Sequence, residues 1–427
     1  MPIMAPPVEK KGRMLSFTGH NYFRQRLVLA TLSRKSIRIS DIRSEDESYP
    51  GLAEYEASFL RLLEKMTNGS NIEINYAGTG VTYHPGIIAG GKITHECPPS
   101  RSIGYFLEPL IALAPFAKVP LELTLTGITN DNVDISVDLV RTLLLPQLNK
   151  FGIEDGVELK ISKRGAAPLG GGEVTFSCPI VRQLKPVQFI DQGYIKRIRG
   201  IAYATRMSPQ MANRVVEAAR GVLVRYIPDV YIYTDVYKGQ ESGKSPGYAL
   251  ALVAETTTGA LLSSECAYQV RKPGRGDTLR RSDLNENAPF DQTQVFKSLQ
   301  LAEKGGSSEH DNTTHGSAVS DMLIDDYSFP TPEDLGVRAA RLLLHEIKRG
   351  GTADTLSQWL NLLFITLGPE DVGKVRFGGL SPFTVQYLRD LKTFFDVTFK
   401  VVADPTTHTV LMTSVGIGFT NINKKVT

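Results

Sequence analysis

Cysteine is scarce in this sequence. Cys97, Cys178 and Cys266, the three in 427 residues, lie too far apart for a zinc-ligand spacing or a disulfide framework, and a reducing intracellular compartment fits such usage. Long apolar runs are missing as well: none approaches the roughly 20 residues that a membrane span needs. Residues 1–13 contain Pro and Lys but no apolar stretch, which reads as a loose tail rather than a secretory signal. Nor is there an excess of one charge sign. With 48 Lys and Arg against 45 Asp and Glu, the net charge is +3, so any contact with nucleic acid must come from local patches. No carboxylate–histidine cluster has metal spacing, and His20, His84, His95 and His345 stand isolated, so we expect neither a metal nor a cofactor. What is present is ordinary for a globular protein: 41% hydrophobic and 22% charged residues, enough to bury a sizeable core. The length calls for two domains, or one domain with a large insert.

Periodicity predicts an α+β chain. Strands over 14–17 and 36–40 flank a short helix over 26–32, and a helix over 53–66 precedes strands at 72–76 and 80–83. A second round of the same grammar has a helix over 102–116, a strand over 120–126, a helix over 133–149 and strands at 157–162 and 173–177. Thr129-Asn130-Asp131-Asn132 is expected to cap the helix beginning at 133; Asp131 and Asp134 would repel a phosphate there. The pattern changes near Lys185-Pro186. A strand over 195–204, a helix over 209–226 and strands at 230–236, 248–256 and 261–267 read as a compact inserted α/β domain. Residues 271–328 lose periodicity, and 305–315, with His310 and His315, hold no apolar residue, which predicts disorder. Helices over 332–349, 354–367 and 382–395, with strands near 397–402 and 409–414, restore the first grammar. The expected layout is a tail over 1–13, two repeats of one unit over 14–185, an inserted domain over 186–349 and a third repeat over 350–427.

One stretch stands out. In Arg164-Gly-Ala-Ala-Pro-Leu-Gly-Gly-Gly-Glu-Val174, Pro168 marks a turn, and Gly170, Gly171 and Gly172 can take positive φ without a Cβ penalty. Bare glycines let a phosphate or another backbone come close, and their N–H groups can form an anion-binding nest beside Lys163 and Arg164. The plainer reading is a sharp loop between two strands.

The spacing of this stretch, Arg-Gly, two residues, Pro, one residue, three glycines, one residue and an aliphatic, resembles the signature of the RNA 3'-terminal phosphate cyclase family, and the likeness spans roughly residues 14–427. The resemblance implies three repeats like the C-terminal domain of bacterial translation initiation factor three, with a smaller domain between the second and third. It also implies where the chemistry should lie, and there the sequence departs. Cyclases carry a Glu-Gly-Gly-Gly-Gln-type loop near the N-terminus; the matching run is Gly19-His20-Asn21-Tyr22-Phe23-Arg24-Gln25, its glycines replaced by bulky residues. What remains, His20, Asn21, Arg24, Gln25 and Arg26, is a polar, partly cationic edge that we expect to meet the glycine turn. Cyclases are adenylated on a histidine a few residues before a Thr-Asn pair. That position falls on Ile417 before Thr420-Asn421, and an isoleucine has no lone pair for a phosphoramidate. His408 lies nine positions earlier in a turn and makes a poor substitute.

One further group could carry chemistry. On the helix over 382–395, Leu388, Leu391 and Phe395 are expected to face the core, placing Arg389 and Lys392 outward with Asp390 offset by about 100°. An Asp base on a 2'-OH with two cations on the phosphate could cleave RNA without metal; a solvated helix face is the alternative. The resemblance to the cyclase-like branch implies a nucleolar factor in early pre-ribosomal RNA processing toward the small subunit, partnered by a nucleolar GTPase, the precursor RNA and a small nucleolar ribonucleoprotein, without cyclase activity.

Overall fold

A computed structural model describes residues 14–268 and 331–422. The expected tail over 1–13 and disorder over 271–328 lie outside the described residues.

The chain is α+β, as its periodicity predicts. Strands arise where buried and exposed positions alternate: in Ile37–Ser40, Ile37 and Ile39 are buried while Arg38 is exposed. The first sheet comprises β1 (Leu15–Thr18), β2 (Ile37–Ser40), β4 (Asn71–Ile74) and β5 (Val81–His84) in the order β1-β2-β5-β4, with α1 (Phe23–Ser33) and α2 (Glu54–Met66) between them in sequence. Short strands β3 (Thr67–Asn68) and β6 (Ile87–Ile88) pair with each other. The second sheet has β7 (Gly91–Glu96), β8 (Leu121–Gly127), β9 (Glu158–Lys163) and β10 (Gly172–Cys178) in the order β7-β8-β10-β9. Its helices are α3 (Ile103–Leu113) and α4, which joins Val137–Leu139, a π-helical Val140–Leu144 and Leu145–Lys150.

In the third sheet β11 (Gln188–Phe189) lies beside strands far along the chain, β16 (Val372–Phe377), β17 (Lys400–Asp404) and β18 (Thr409–Val415), in the order β11-β16-β18-β17. Helices α7 (Gln358–Leu367) and α8 (Pro382–Phe395) belong to this part. All three sheets start with a parallel pair and continue antiparallel.

The fourth sheet has β12 (Ile195–Thr205), β13 (Val230–Tyr237), β14 (Gly247–Thr256) and β15 (Leu261–Ala267), in the order β13-β12-β14-β15. Against it pack α5 (Pro209–Leu223) and α6 (Pro332–Arg349), which bury Val215, Leu250, Leu335 and Leu343 in a core of their own. The larger core runs through the first three sheets and gathers Leu27, Phe59, Leu110, Leu143, Phe364 and Leu391. Every such fully buried aliphatic or aromatic side chain contributes about 1.5–3 kcal/mol.

Three helix starts differ from expectation, α1 beginning at Phe23 rather than at 26. The cap of α4 is Ser136, whose Oγ accepts from the Leu139 N–H at 3.1 Å, rather than a residue within 129–132. Asp131 instead accepts from Val133 N–H and Asp134 N–H and closes a turn before the helix. Likewise α7 begins at Gln358 and not at 354, because Asp354 accepts from Ser357 N–H at 3.0 Å and holds the preceding residues in a turn. Periodicity does not predict strands β7 and β16.

Candidate functional site

The glycine turn links β9 to β10, with Gly170 at φ 62° and Gly171 at φ 84°, backbone that a β-carbon would strain. What comes close to these glycines is protein backbone. Lys244 N–H donates to the Gly170 carbonyl at 2.7 Å, Gly243 N–H to the Arg164 carbonyl at 2.5 Å, and Thr129 N–H to the Gly165 carbonyl at 2.7 Å. The turn is a joint between the second sheet and the loop leading into β14. Two of its own amides are taken within the protein, Leu169 N–H donating to Ser245 Oγ and Gly170 N–H to the Ala166 carbonyl, both at 3.0 Å.

Arg164 is not the accessible cation that the sequence suggests. Its side chain is wholly buried, grips both Asp138 oxygens, donates to Asp235 at 2.8 Å and lies 4.7 Å above the Tyr203 ring. Burial alone would raise the Asp138 pKa, but Arg164, with Asn130 donating at 3.0 Å, holds that carboxyl below its usual range. The guanidinium therefore ties α4 to β13, and its charge is spent internally. Lys163 keeps 43% of its side chain exposed and pairs with Glu173 at 3.2 Å.

Beside this joint lies a cluster of buried acids. Asn132 exchanges two hydrogen bonds with the backbone of Ala267 at 2.7 Å, Glu265 accepts from Ser136 N–H at 3.1 Å, and Asp134 forms a two-pronged pair with Arg101. Burial pushes the Glu265 carboxyl up to about 8 and Asp131, with Asp134 near it, up to about 7. A raised folded-state pKa means that the folded protein holds its proton where the unfolded chain, near pKa 4, has released it. Stability from these groups is thus present below about pH 4 and is lost as pH rises toward 8. We expect the melting temperature to fall between pH 5 and pH 8, and Glu265→Gln, which keeps the acceptor for Ser136, to flatten that fall. Parallel curves for the two proteins would refute the assignment.

The N-terminal polar run folds inward instead of forming an edge at the glycine turn. Tyr22, left-handed at φ 59°, starts α1, and Arg24, Gln25 and Arg26 are all buried. Arg24 pairs with Glu108 at 2.7 Å, donates to the Tyr105 carbonyl at 2.7 Å and stacks over the Tyr105 ring. Arg26 lies 4.4 Å over the Phe17 ring and 3.5 Å from Asp390. His20 and Asn21 are half-buried at the start of this seam. Arg24, Gln25, Glu108, Trp359 and Tyr387 help to line a small cleft that leaves about 10 Å³ for the centre of a water-sized sphere, room for about one water. Arg24 Nε, Gln25 Oε1 and Trp359 Nε1 are buried there with no partner among the described residues, two donors and one acceptor suited to water or a small polar group. Two signals could have found this seam: Glu108 interrupts an otherwise apolar helix, Ile-Gly-Tyr-Phe-Leu-Glu-Pro-Leu-Ile-Ala-Leu, and Trp359 is the only tryptophan in the chain.

On α8 the three charged residues do not converge. Arg389 and Lys392 are exposed, as helical spacing predicts, but Asp390 is buried with Phe383, Tyr387, Leu391 and Phe394. It accepts from Gln386 at 3.0 Å and faces Arg26. Burial raises its pKa, against the pull of Arg26. The offset of about 100° from the outer face carries Asp390 into the interior, where its neighbour is the buried Arg26 of α1. Leu388 and Phe395, expected in the core, are only partly buried.

Ile417 follows β18, half-buried against the larger core, its N–H donating to the Thr366 carbonyl at 2.9 Å. His408 sits in the turn between β17 and β18, so the whole of Thr409–Val415 separates it from Ile417. At about 3.4 Å per residue that strand alone spans roughly 20 Å. Among the described residues, no group of three or more His, Cys, Asp or Glu side chains could hold a metal ion, and no helix is long and apolar enough to cross a membrane.

Comparison with known proteins agrees with the motif. The RNA 3'-terminal phosphate cyclase family matches residues 15–401. A probable RNA 3'-terminal phosphate cyclase-like protein of Dictyostelium discoideum is 52% identical over 410 residues, 96% of this chain and 99% of the relative. The human RNA 3'-terminal phosphate cyclase-like protein is 48% identical over 421 residues, 97% and 98% of the two chains. The rRNA processing protein rcl1 of Schizosaccharomyces pombe is 42% identical over 419 residues, 97% and 99%. On the motif, the extent of the match and these identities, the chain belongs to the RNA 3'-terminal phosphate cyclase family, in its cyclase-like branch.

Proposed function

We propose that this protein is a non-cyclase factor of ribosome biogenesis, acting in the nucleolus in early pre-rRNA processing toward the small subunit. The observation that carries the reading is the side chain at the nucleophile position, Ile417, which cannot be adenylated. Two features support it. The loop matching the cyclase glycines holds Tyr22 and Phe23 and turns its cations into internal pairs, and a full-length relative is named for rRNA processing. The partners we propose are a nucleolar GTPase, the precursor RNA and a small nucleolar ribonucleoprotein. We also read the first three sheets, which share one strand order, as copies of one repeated unit. The fourth sheet with α5 and α6, over Ile195–Arg349, would then be the inserted domain, and Gln188–Phe189, paired with β16, would belong to the third unit rather than to an insert beginning at 186.

An endonuclease built on Arg389, Asp390 and Lys392 is the second reading, and the inward course of Asp390 weighs against it. A base must reach the 2'-OH, and this carboxylate faces Arg26.

Incubation with labelled ATP and a 3'-phosphate RNA should leave no nucleotide on the protein and no cyclic phosphate on the RNA. The tagged protein, purified from nuclei, should bring pre-rRNA and a GTPase with it. A covalent adenylate would refute the first half, and purification free of pre-rRNA the second.

A further inference from the structure

The fourth sheet has one long edge that pairs with no strand among the described residues. β15 is tied to the rest through Ala353 and Asn132, whereas β13 ends the sheet on the other side. Its backbone directions follow from a single bond. Ile198 N–H donates to the Asp229 carbonyl, so the odd-numbered residues of β13 turn their backbone groups toward β12, and Ile232, Thr234 and Val236 turn theirs outward. Among the described residues no strand takes those groups.

The side chains next to this edge are equally open. Tyr231 and Tyr233 are 53% and 55% exposed, and their rings meet edge to face at 4.5 Å. They sit on the same sheet face as Arg199 and Ile201, to which they are registered. Aromatic rings on an open sheet suit two kinds of ligand, single-stranded RNA and an extended peptide.

Charge decides between them. Each arginine of this face already has a carboxylate: Arg197 with Glu255 at 2.6 Å, Arg199 with Asp229 at 2.8 Å, and Arg164 with Asp138 and Asp235. A polyanion gains its affinity from free cations, and here it would have to break ion pairs to find them. An uncharged strand gains the backbone ladder and the tyrosine surface together, without breaking any pair.

We propose that β13 receives an extended segment of another protein as a fifth strand, with aliphatic side chains at alternate positions seated on Tyr231 and Tyr233. This interaction is independent of the pre-rRNA role argued above.

The test uses the full-length protein and a phage library of random dodecapeptides. Selected peptides should carry alternating aliphatic residues, and on binding they should slow hydrogen exchange at the amides of Ile232, Thr234 and Val236. Thr234→Pro removes one outward N–H and blocks the approach while sparing the bonds to β12, which proline on an edge strand allows. It should weaken peptide binding about tenfold or more, as should Tyr231→Ala with Tyr233→Ala. Melting temperatures should stay within about 3 °C of the parent. Peptides that bind Thr234→Pro as well as they bind the parent would overturn the proposal. So would a concentration-dependent dimer abolished by Thr234→Pro, which would make a second copy the occupant, or oligouridylate binding lost only with the tyrosines, which would make it RNA.

Discussion

Arg164→Met should strongly destabilise this protein. The substitution keeps much of the aliphatic bulk but removes the charge that faces Asp138, a carboxylate with a side chain only 1% exposed. Taking one partner from a buried ion pair costs about 3–5 kcal/mol, because the remaining charge stays in a medium that solvates it poorly. At about 2.1 cal/mol/K of unfolding entropy per residue, a loss of that size should lower the melting temperature by roughly 3–6 °C. Replacing both partners, Arg164→Met with Asp138→Leu, should recover part of the loss, since no unpaired charge is then left in the interior. Asp235, with 35% of its side chain exposed, can be hydrated instead. An Arg164→Met protein that melts like the parent would mean that the joint between α4 and β13 contributes little. Arg164→Glu would place a third carboxylate beside Asp138 and Asp235 and should be worse still.

Asp390→Asn should also destabilise, toward the lower end of the same range of roughly 3–5 kcal/mol, because Arg26 is buried and Asp390 is its acidic neighbour at 3.5 Å. The Gln386 contact survives the change; the charge does not. The consequence reaches the functional question, since lost processing in this variant would report a loosened α1–α8 contact and not a missing base. Arg389→Glu with Lys392→Glu is the clean probe. Both residues are exposed, so the fold should hold while any partner that docks on that face is repelled, each charge contributing about 1 kcal/mol or less. Thermal melts set beside co-purification separate the two variants. If Asp390→Asn melts with the parent and still abolishes processing, the carboxylate acts directly.

Much of the fold could be read from periodicity. The amphipathic helices over 209–226 and 332–349 and the alternating strands over 173–177 and 409–414 carry their own signal, and the structure has elements at each place. The strand at 91–96 escapes because His95 and Thr94 disguise its alternation; His95 is inside, hydrogen-bonded to Ser58 at 2.9 Å. The candidate residues are legible as types and not as neighbours. Arg24, Arg26, Arg164 and Asp390 look like surface charges in sequence, where nothing reveals that Glu108, Asp138 and Asp235 lie opposite them. Ion pairs between residues such as 24 and 108 have no local pattern, and the burial they permit reverses the meaning of each charge.

The pairing of β11 with β16 has a consequence for how the chain is made. Gln188 sits opposite Lys374, so the ribosome releases one strand 186 residues before its neighbour exists. The first and second sheets can form as soon as their strands emerge, each from contacts within about 90 residues. The third must wait for nearly the whole polypeptide, and the loop to be closed carries the entropic cost of its length, which grows as the logarithm of the number of residues. Folding of the fourth sheet would shorten that loop: its core joins the chain from Ile198 to Leu343 in one compact body, so the two ends would meet as neighbours rather than as the ends of a long coil. Completion of the nascent protein therefore depends on its last strands, β16 to β18, and a chain stopped before Val372 leaves β11 without a partner.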